Sequence, residues 1–243
     1  MADPKASGDL MPVWSPPFGK PPFPMLKAEL LMVEFETDGA EIGRITPSPL
    51  ERAEHNRLTA FVGDCSQLSH SLGYHEVAII QPVEHEGKQA VTVPYIWTST
   101  DTALLAGREL YGMPKMLCDH DTLRKANNEI AGYCHRGGTE MMSLSMVIDG
   151  EGDPATLPFG ANFTFVRHIP SPDPARPDRK QLVWIELEDF NVVELWRGRG
   201  HAEFRHPLSS GLSRIAPKTV TDAWYGTFTW TLPWAKVLDE WEE

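Results

Sequence analysis

Apolar and polar residues alternate in short runs along most of the chain. A period of two residues is the pattern of a β-strand that buries one face. Residues 84–88, EHEGK, separate two such runs and predict the turn of a hairpin. The predicted strands are residues 29–35, 58–62, 77–83, 90–97, 129–135, 141–148, 162–168, 182–190, 192–196 and 227–232.

Two segments predict helices instead. Residues 38–45 form a short helix that stops at the TPSP sequence of residues 46–49, because the residue before a proline avoids the helical conformation. Residues 99–111 form the clearest helix, with Asp101 in the position of the N-cap. Its predicted inward face consists of Leu104, Leu105 and Leu110.

Many strands at short spacing and few helices indicate an α+β protein that is mainly β, built on a closed or strongly curved antiparallel sheet. A doubly wound parallel sheet would need helices between its strands, and the sequence offers too few. The first 24 residues hold seven prolines, so we expect an extended N-terminal arm over residues 1–24 and a single domain over residues 25–243. Residues 170–180, with four prolines, are expected to form an exposed loop.

Composition narrows the possible partners. The chain has 243 residues with 41% hydrophobic and 23% charged residues, as in soluble globular proteins. A net charge of −12 argues against nucleic acid and anionic membranes as partners. No apolar run approaches the roughly 20 residues that span a bilayer, and the polar N-terminus lacks the apolar stretch of a signal peptide. We therefore expect a cytoplasmic protein. Cys65, Cys118 and Cys134 have no spacing typical of zinc or of a disulfide framework.

The most informative residue is Lys115, which directly follows Pro114 among apolar neighbours, with no adjacent residue able to neutralise its charge. Burial can lower the pKa of a lysine by roughly 3–5 units from about 10.4. The neutral amine is then a nucleophile that forms a Schiff base with a ketone. The alternative is an ordinary lysine whose stem packs while its head reaches water.

The segment around this lysine, GRELYGMPK at residues 107–115, resembles the active-site segment of the acetoacetate decarboxylase superfamily. Weaker similarities follow in the same order along the chain, at residues 15–18, 37–38, 46–50, 74–76, 162–163 and 168–170. The resemblance implies the curved antiparallel sheet or barrel of that superfamily, a Schiff base on Lys115, no cofactor and no metal. It also implies small-molecule keto acid and aldehyde substrates and a homo-oligomer.

Three departures from the family pattern bear on the reaction. Met116 stands where the decarboxylases carry a second lysine, no arginine occurs near Lys27-Ala28, and no acid occurs near Ala60-Phe61. One pocket carboxylate of the family is matched by Glu76. We therefore expect a pyruvate aldolase-dehydratase, which condenses pyruvate with an aldehyde. Acetoacetate decarboxylase and a non-catalytic small-molecule binding protein are the alternatives.

The resemblance and the residues together predict the site. Lys115 and Glu76 are the candidate catalytic residues, with Glu76 as the proton shuttle. The alternatives are that Glu76 is a solvated strand residue and that a tyrosine moves the proton. Arg108 positions a substrate carboxylate, unless it forms an exposed helix pair with Glu109. The remaining predicted pocket residues, with plain core packing as the alternative for the aromatic ones, are Tyr74, Tyr95, Trp97, Tyr111, Met113 and Met116. Met113, Met116 and Leu117 are expected to desolvate the lysine.

Overall fold

A computed structural model describes residues 12–68, 73–205 and 211–242. Within these ranges, 14 strands form one sheet. The strands are β1 (Phe23–Glu36), β2 (Glu51–Arg52), β3 (Arg57–Leu68), β4 (Tyr74–His85), β5 (Lys88–Thr98), β6 (Lys115–Leu117), β7 (His120–Ala126), β8 (Glu129–Arg136), β9 (Thr139–Glu151), β10 (Asn162–Ile169), β11 (Arg179–Glu186), β12 (Glu188–Phe204), β13 (Thr219–Leu232) and β14 (Lys236–Glu242).

Few helices accompany the sheet. The α-helices are α1 (Gly39–Ile45) and α2 (Asp101–Ala106), and α2 continues as a π-helical turn over Gly107–Tyr111. Short 3-10 turns cover Pro154–Thr156 and Leu212–Ile215. None of the helices in the described parts of the chain is long and apolar enough to cross a membrane.

The sheet follows the order β14-β11-β10-β5-β4-β3-β1-β13-β12-β9-β8-β7, with β2 paired to β4 and β6 paired to β5. Most neighbours are antiparallel, which confirms the predicted mainly β fold with a large curved sheet. Two pairings, β5 with β10 and β5 with β6, are parallel. The second of these places the start of β6 beside the end of β5.

The curvature buries both faces of the central strands. In β1, Leu31 and Val33 belong to one hydrophobic cluster, and Leu30 and Met32 belong to another on the opposite face. Successive residues of a strand point to opposite faces, so a continuous apolar run such as that of β1 fits a strand covered on both sides. We call these clusters the first core and the second core, respectively.

Each predicted strand overlaps an observed one, but four of the 14 strands were missed. Two of them, β2 and β6, are only two and three residues long. The other two, β7 and β14, are largely polar and lie at the two ends of the sheet. Strands with little buried surface lack the apolar alternation that identifies them. The predicted strand 182–190 is interrupted at Leu187, between β11 and β12.

The helix predicted over residues 99–111 forms, although its details differ. Its N-cap is Thr100, whose side chain accepts a hydrogen bond from the amide of Ala103, and not Asp101. The buried positions are Ala103, Gly107 and Tyr111, whereas Leu104, Leu105 and Leu110 are only partly buried. The helix therefore packs through two small residues, Ala103 and Gly107, and through the ring of Tyr111 at its end.

The predicted N-terminal arm lies partly outside the described residues, which begin at position 12. Its last two residues, Phe23 and Pro24, are the first residues of β1 and pair with Leu232 and Thr231 of β13. The proline-rich loop ends two residues earlier than expected, because β11 begins at Arg179.

Candidate active site

Lys115 is held in place by the backbone around it. Gly112 ends the π-helical turn in the left-handed conformation, with φ of 73°, and the lysine opens β6 two residues after Met113. The amide of Lys115 donates to the carbonyl of Met113 at 2.7 Å, and Arg108 Nη1 donates to the carbonyl of Lys115 at 3.2 Å. The lysine side chain is 6% exposed. These two hydrogen bonds fix the backbone of Lys115, from which its side chain extends into the protein interior.

A carboxylate from another strand meets that amine. Lys115 Nζ donates to Glu76 Oε2 at 2.5 Å, and the side chain of Glu76 is 13% exposed. Glu76 lies on β4, next to β5, which carries β6 on its other side. The partner of Lys115 comes from 39 positions away, so it is not one of the adjacent residues that the sequence analysis considered. Charge-assisted hydrogen bonds of this kind are short and strong, so the carboxylate holds the Lys115 amine in a defined position.

A tyrosine and a cysteine complete the immediate surroundings of the pair. The centroid of the Tyr74 ring lies 5.0 Å from Lys115 Nζ, within the range of a cation–π contact. The Tyr74 hydroxyl hydrogen-bonds Cys65, which faces it on β3. Burial, and then the charge of Glu76, raise the pKa of both groups well above their ordinary values. Both stay protonated at neutral pH, so the pair has a neutral donor beside it.

An apolar pocket opens next to Lys115 and Glu76 and encloses about 820 Å³ of empty space, its open mouth included. Aromatic rings make up much of its wall: Phe61, Phe159, Phe163, Phe165, Phe190 and Trp230. We call this the aromatic pocket. A concave apolar site with a few convergent polar groups is the usual form of a small-molecule site.

A second pocket reaches Lys115 from the side of α2. It shares Tyr74, Met113 and Lys115 with the aromatic pocket and adds the polar groups of Lys20 and Thr102. We call this the helix-side pocket. The amine of Lys115 therefore lies where the two pockets adjoin, so two small molecules can approach it from different sides.

Gly107 makes room for the lysine. A Cβ atom at this position would lie 2.6 Å from Cδ and 2.8 Å from Cε of Lys115, closer than two carbon atoms approach. Its φ of −62° is one that any residue adopts. The glycine at position 107 thus leaves space for the side chain of Lys115, whereas its backbone conformation is one that any residue could adopt.

Several of the predicted pocket residues line one or both pockets. Tyr74 and Met113 line both, and Tyr111 lines the helix-side pocket. The hydroxyl of Tyr111 donates to the carbonyl of Pro233 at 2.9 Å, and burial raises its pKa. This bond joins the π-helical turn to the segment after β13 and fixes the wall of the helix-side pocket.

Four other predicted residues line neither pocket. Tyr95 and Trp97 stack with ring centroids 6.1 Å apart and, with Met116, pack in the first core, on the opposite face of the sheet from Lys115. Arg108 is exposed, and its Nη1 donates to the backbone carbonyl of Lys115. Desolvation of the lysine therefore comes from Met113 and the aromatic walls. It does not come from Met116, nor from Leu117, which is 45% exposed.

A bulge in β5 explains part of the difference between the predicted and the observed positions of these side chains. Ile79 pairs with Tyr95 and Gln81 with Thr92, so two residues of β5 oppose one residue of β4. The extra residue resets the alternation of side chains, which turns Val93 and Ile96 toward the aromatic pocket. Regular alternation along β6 separates Lys115 from Met116.

The three departures from the family pattern have simple structural counterparts. Phe61 lines the aromatic pocket, whereas Ala60 packs in the first core. Lys27 forms an ion pair with Glu29 at 2.9 Å, outside both pockets, and Ala28 is fully buried. An aromatic ring therefore stands where the resemblance places an acid.

Sequence reasoning missed Cys65 and the rings of Phe159 and Phe190. They come from β3, from the loop before β10 and from β12, and no local pattern distinguishes them from core residues. Within the described ranges, no three His, Cys, Asp or Glu side chains cluster as metal ligands would.

Comparison with known proteins assigns the chain to a family. Residues 10–240 match the family model of acetoacetate decarboxylase. Acetoacetate decarboxylase 2 of Mesorhizobium japonicum is 24% identical over 97% of this chain and 90% of its own.

Two solved structures share the fold. The chain superposes on an acetoacetate decarboxylase-like enzyme from Sphingomonas wittichii RW1 with a TM-score of 0.88 and 20% identity, covering 96% of this chain and 100% of that one. It also superposes on the enduracididine biosynthesis enzyme MppR, complexed with the condensation product of pyruvate and imidazole 4-carboxaldehyde, with a TM-score of 0.84 and 22% identity, covering 96% of each chain. The family match spans nearly the whole sequence, and the chain therefore belongs to the acetoacetate decarboxylase family.

Proposed function

We propose that this protein is a Schiff-base lyase that condenses pyruvate with an aldehyde and dehydrates the product. The observation that carries the proposal is the buried pair formed by Lys115 and Glu76 in the wall of an aromatic pocket. Among the described residues that line this pocket, the pair supplies the only charged groups. An amine and one carboxylate are sufficient for imine and enamine chemistry.

The reaction begins when the neutral amine of Lys115 adds to the keto carbon of pyruvate and loss of one water gives a protonated imine. Removal of a methyl proton gives an enamine, whose carbon bonds to the carbon of the aldehyde while the aldehyde oxygen takes up a proton. Loss of a second proton from the same carbon, with loss of the new hydroxyl as water, leaves a conjugated imine. One water then hydrolyses this imine, so the net products are an unsaturated 2-keto acid and one water.

Glu76 is the proposed proton shuttle. Its Oε2 lies 2.5 Å from Nζ, so it stands beside the carbon atoms of an imine formed on that amine. The same carboxylate can carry the methyl proton to the aldehyde oxygen, and the second carbon-bound proton to the departing hydroxide. Each proton that it removes is thus returned within the same cycle.

The relatives support two versions of the function. MppR is complexed in its solved structure with a condensation product of pyruvate and an aldehyde, which favours the aldolase-dehydratase. Acetoacetate decarboxylation is the second candidate, since the curated relatives carry that name. The presence of Phe61 in place of an acid favours the first candidate, because the pocket then lacks a second carboxylate.

Trapping with borohydride tests the proposal. Incubation with pyruvate and borohydride should give one mass adduct that maps to Lys115, because only an unprotonated, substrate-facing amine forms a reducible imine. Lys115→Met should abolish the adduct, and Lys125→Met, which removes an exposed lysine paired with Glu29, should not.

A parallel assay separates the two reactions. The wild type should give a conjugated product, detected by ultraviolet absorbance, from pyruvate and an aldehyde, and little carbon dioxide from acetoacetate. Absence of any adduct with either keto acid would leave only the non-catalytic binding protein. Carbon dioxide release without condensation would favour the decarboxylase.

A further inference from the structure

We infer that the aldehyde accepted by this enzyme is an uncharged aromatic aldehyde, whose ring binds in the aromatic pocket beyond Lys115. This inference rests on the proposed condensation and adds the chemical class of its second substrate. Three observations carry it: the rings that line the pocket, their exposure, and the distribution of charge.

The rings form a cluster with the geometry of aromatic packing. Phe159 lies with its ring centroid 6.3 Å from that of Phe163 and 6.0 Å from that of Phe190. Phe190 in turn stacks on Phe228 at 6.2 Å. Centroid distances of 4.5–7 Å are those at which aromatic rings attract each other, so another ring that enters the pocket finds partners of the same kind.

Four of the rings that line the pocket keep part of their surface exposed. Phe159, Phe163, Phe190 and Trp230 are each only partly buried, although all four line the pocket. Apolar surface that stays exposed in a concave site marks a place where a ligand binds. An apolar, flat ligand would cover this surface.

The charges of the pocket are confined to one end. Lys115 and Glu76 are its only charged lining residues in the described parts of the chain, and the condensation uses both. The other described lining residues carry no charge, so a carboxylate or an ammonium group bound among them would find no ionic partner, and burying such a group unpaired is unfavourable. They also offer few polar groups to the several hydroxyls of a sugar aldehyde. The helix-side pocket, with Lys20 and Thr102, is more polar and suits the keto acid.

A series of aldehydes tests the inference on the unmodified protein. With pyruvate fixed, kcat/KM is measured for benzaldehyde, 4-carboxybenzaldehyde and glyceraldehyde by the loss of aldehyde. We expect benzaldehyde to be preferred at least a hundredfold over the other two. Equal use of 4-carboxybenzaldehyde or glyceraldehyde would overturn the inference.

Substitutions of Phe159 test whether this residue is responsible for the preference for benzaldehyde. Phe159→Ala and the more conservative Phe159→Leu should lower kcat/KM for benzaldehyde at least tenfold, and should leave both pyruvate trapping on Lys115 and the use of acetaldehyde nearly unchanged. Trp241→Ala, at a partly buried ring on β14 outside both pockets, is the matched control. An unchanged benzaldehyde value in both Phe159 variants would refute the binding site.

The two proposals fail in different ways. Trapping on Lys115 together with condensation that shows no aromatic preference would overturn this inference and leave the proposed function standing. Loss of trapping, or trapping without condensation of any aldehyde, would overturn the proposed function and this inference with it.

Discussion

Replacing Gly107 with alanine tests whether the position of the Lys115 side chain governs its reactivity. The new Cβ would lie 2.6 Å from Cδ of the lysine, whereas carbon atoms pack at about 3.5–4.0 Å. The stem must therefore move by about 1 Å. Lys115 is held at one end by its backbone and at the other by Glu76, so a shift of the stem moves Nζ and alters its 2.5 Å contact with Glu76.

The expected effect is large on chemistry and small on folding. A displacement of about 1 Å at a reacting group costs roughly a hundredfold in rate, or about 2.7 kcal/mol in the barrier. Because φ of Gly107 is −62°, alanine fits the backbone, and the change adds up to about 1 kcal/mol of helix stability against the local clash.

The assay is the rate at which pyruvate and borohydride modify Lys115, followed by intact mass, beside a thermal melt. We expect Gly107→Ala to trap about a hundredfold more slowly with a melting temperature close to that of the wild type. The control is Gly43→Ala in α1, where no atom lies within 4 Å of the added Cβ. Trapping at the wild-type rate by a folded Gly107→Ala protein would refute the reasoning.

Substitutions of Glu76 and Met116 test the roles proposed for these two residues. Glu76→Gln should lower condensation by roughly 10²–10⁴-fold while trapping on Lys115 largely persists; equal loss of both would assign Glu76 to imine formation instead. Met116→Lys should lower the melting temperature and give no acetoacetate decarboxylation, because Met116 packs in the first core and its replacement would place a charge there. Carbon dioxide release by that variant would contradict this account.

The sequence by itself determined most of the secondary structure and singled out Lys115 as the candidate nucleophile. Period-two alternation located ten strands, since a strand with one buried face leaves that pattern locally. Lys115 was identified because its whole signal is contained in the GRELYGMPK segment. The family and its mainly β fold followed from that segment and are confirmed by the match over residues 10–240. The polar strands β7 and β14 left no such pattern and were missed.

Only the tertiary structure decided which side chains share the site with Lys115. Glu76 reaches it across neighbouring strands, and strand alternation turns Met116 away to the other core. The bulge in β5 turns Trp97 toward the first core as well, although the sequence analysis predicted this residue in the pocket. Pairing register, bulges and sheet curvature depend on contacts between residues far apart in the chain. No local pattern encodes them. The family resemblance supplied Glu76, and Tyr74, Tyr111 and Met113 were also predicted, but the positions of Met116 and Trp97 and the walls formed by Phe159 and Phe190 depend on these distant contacts.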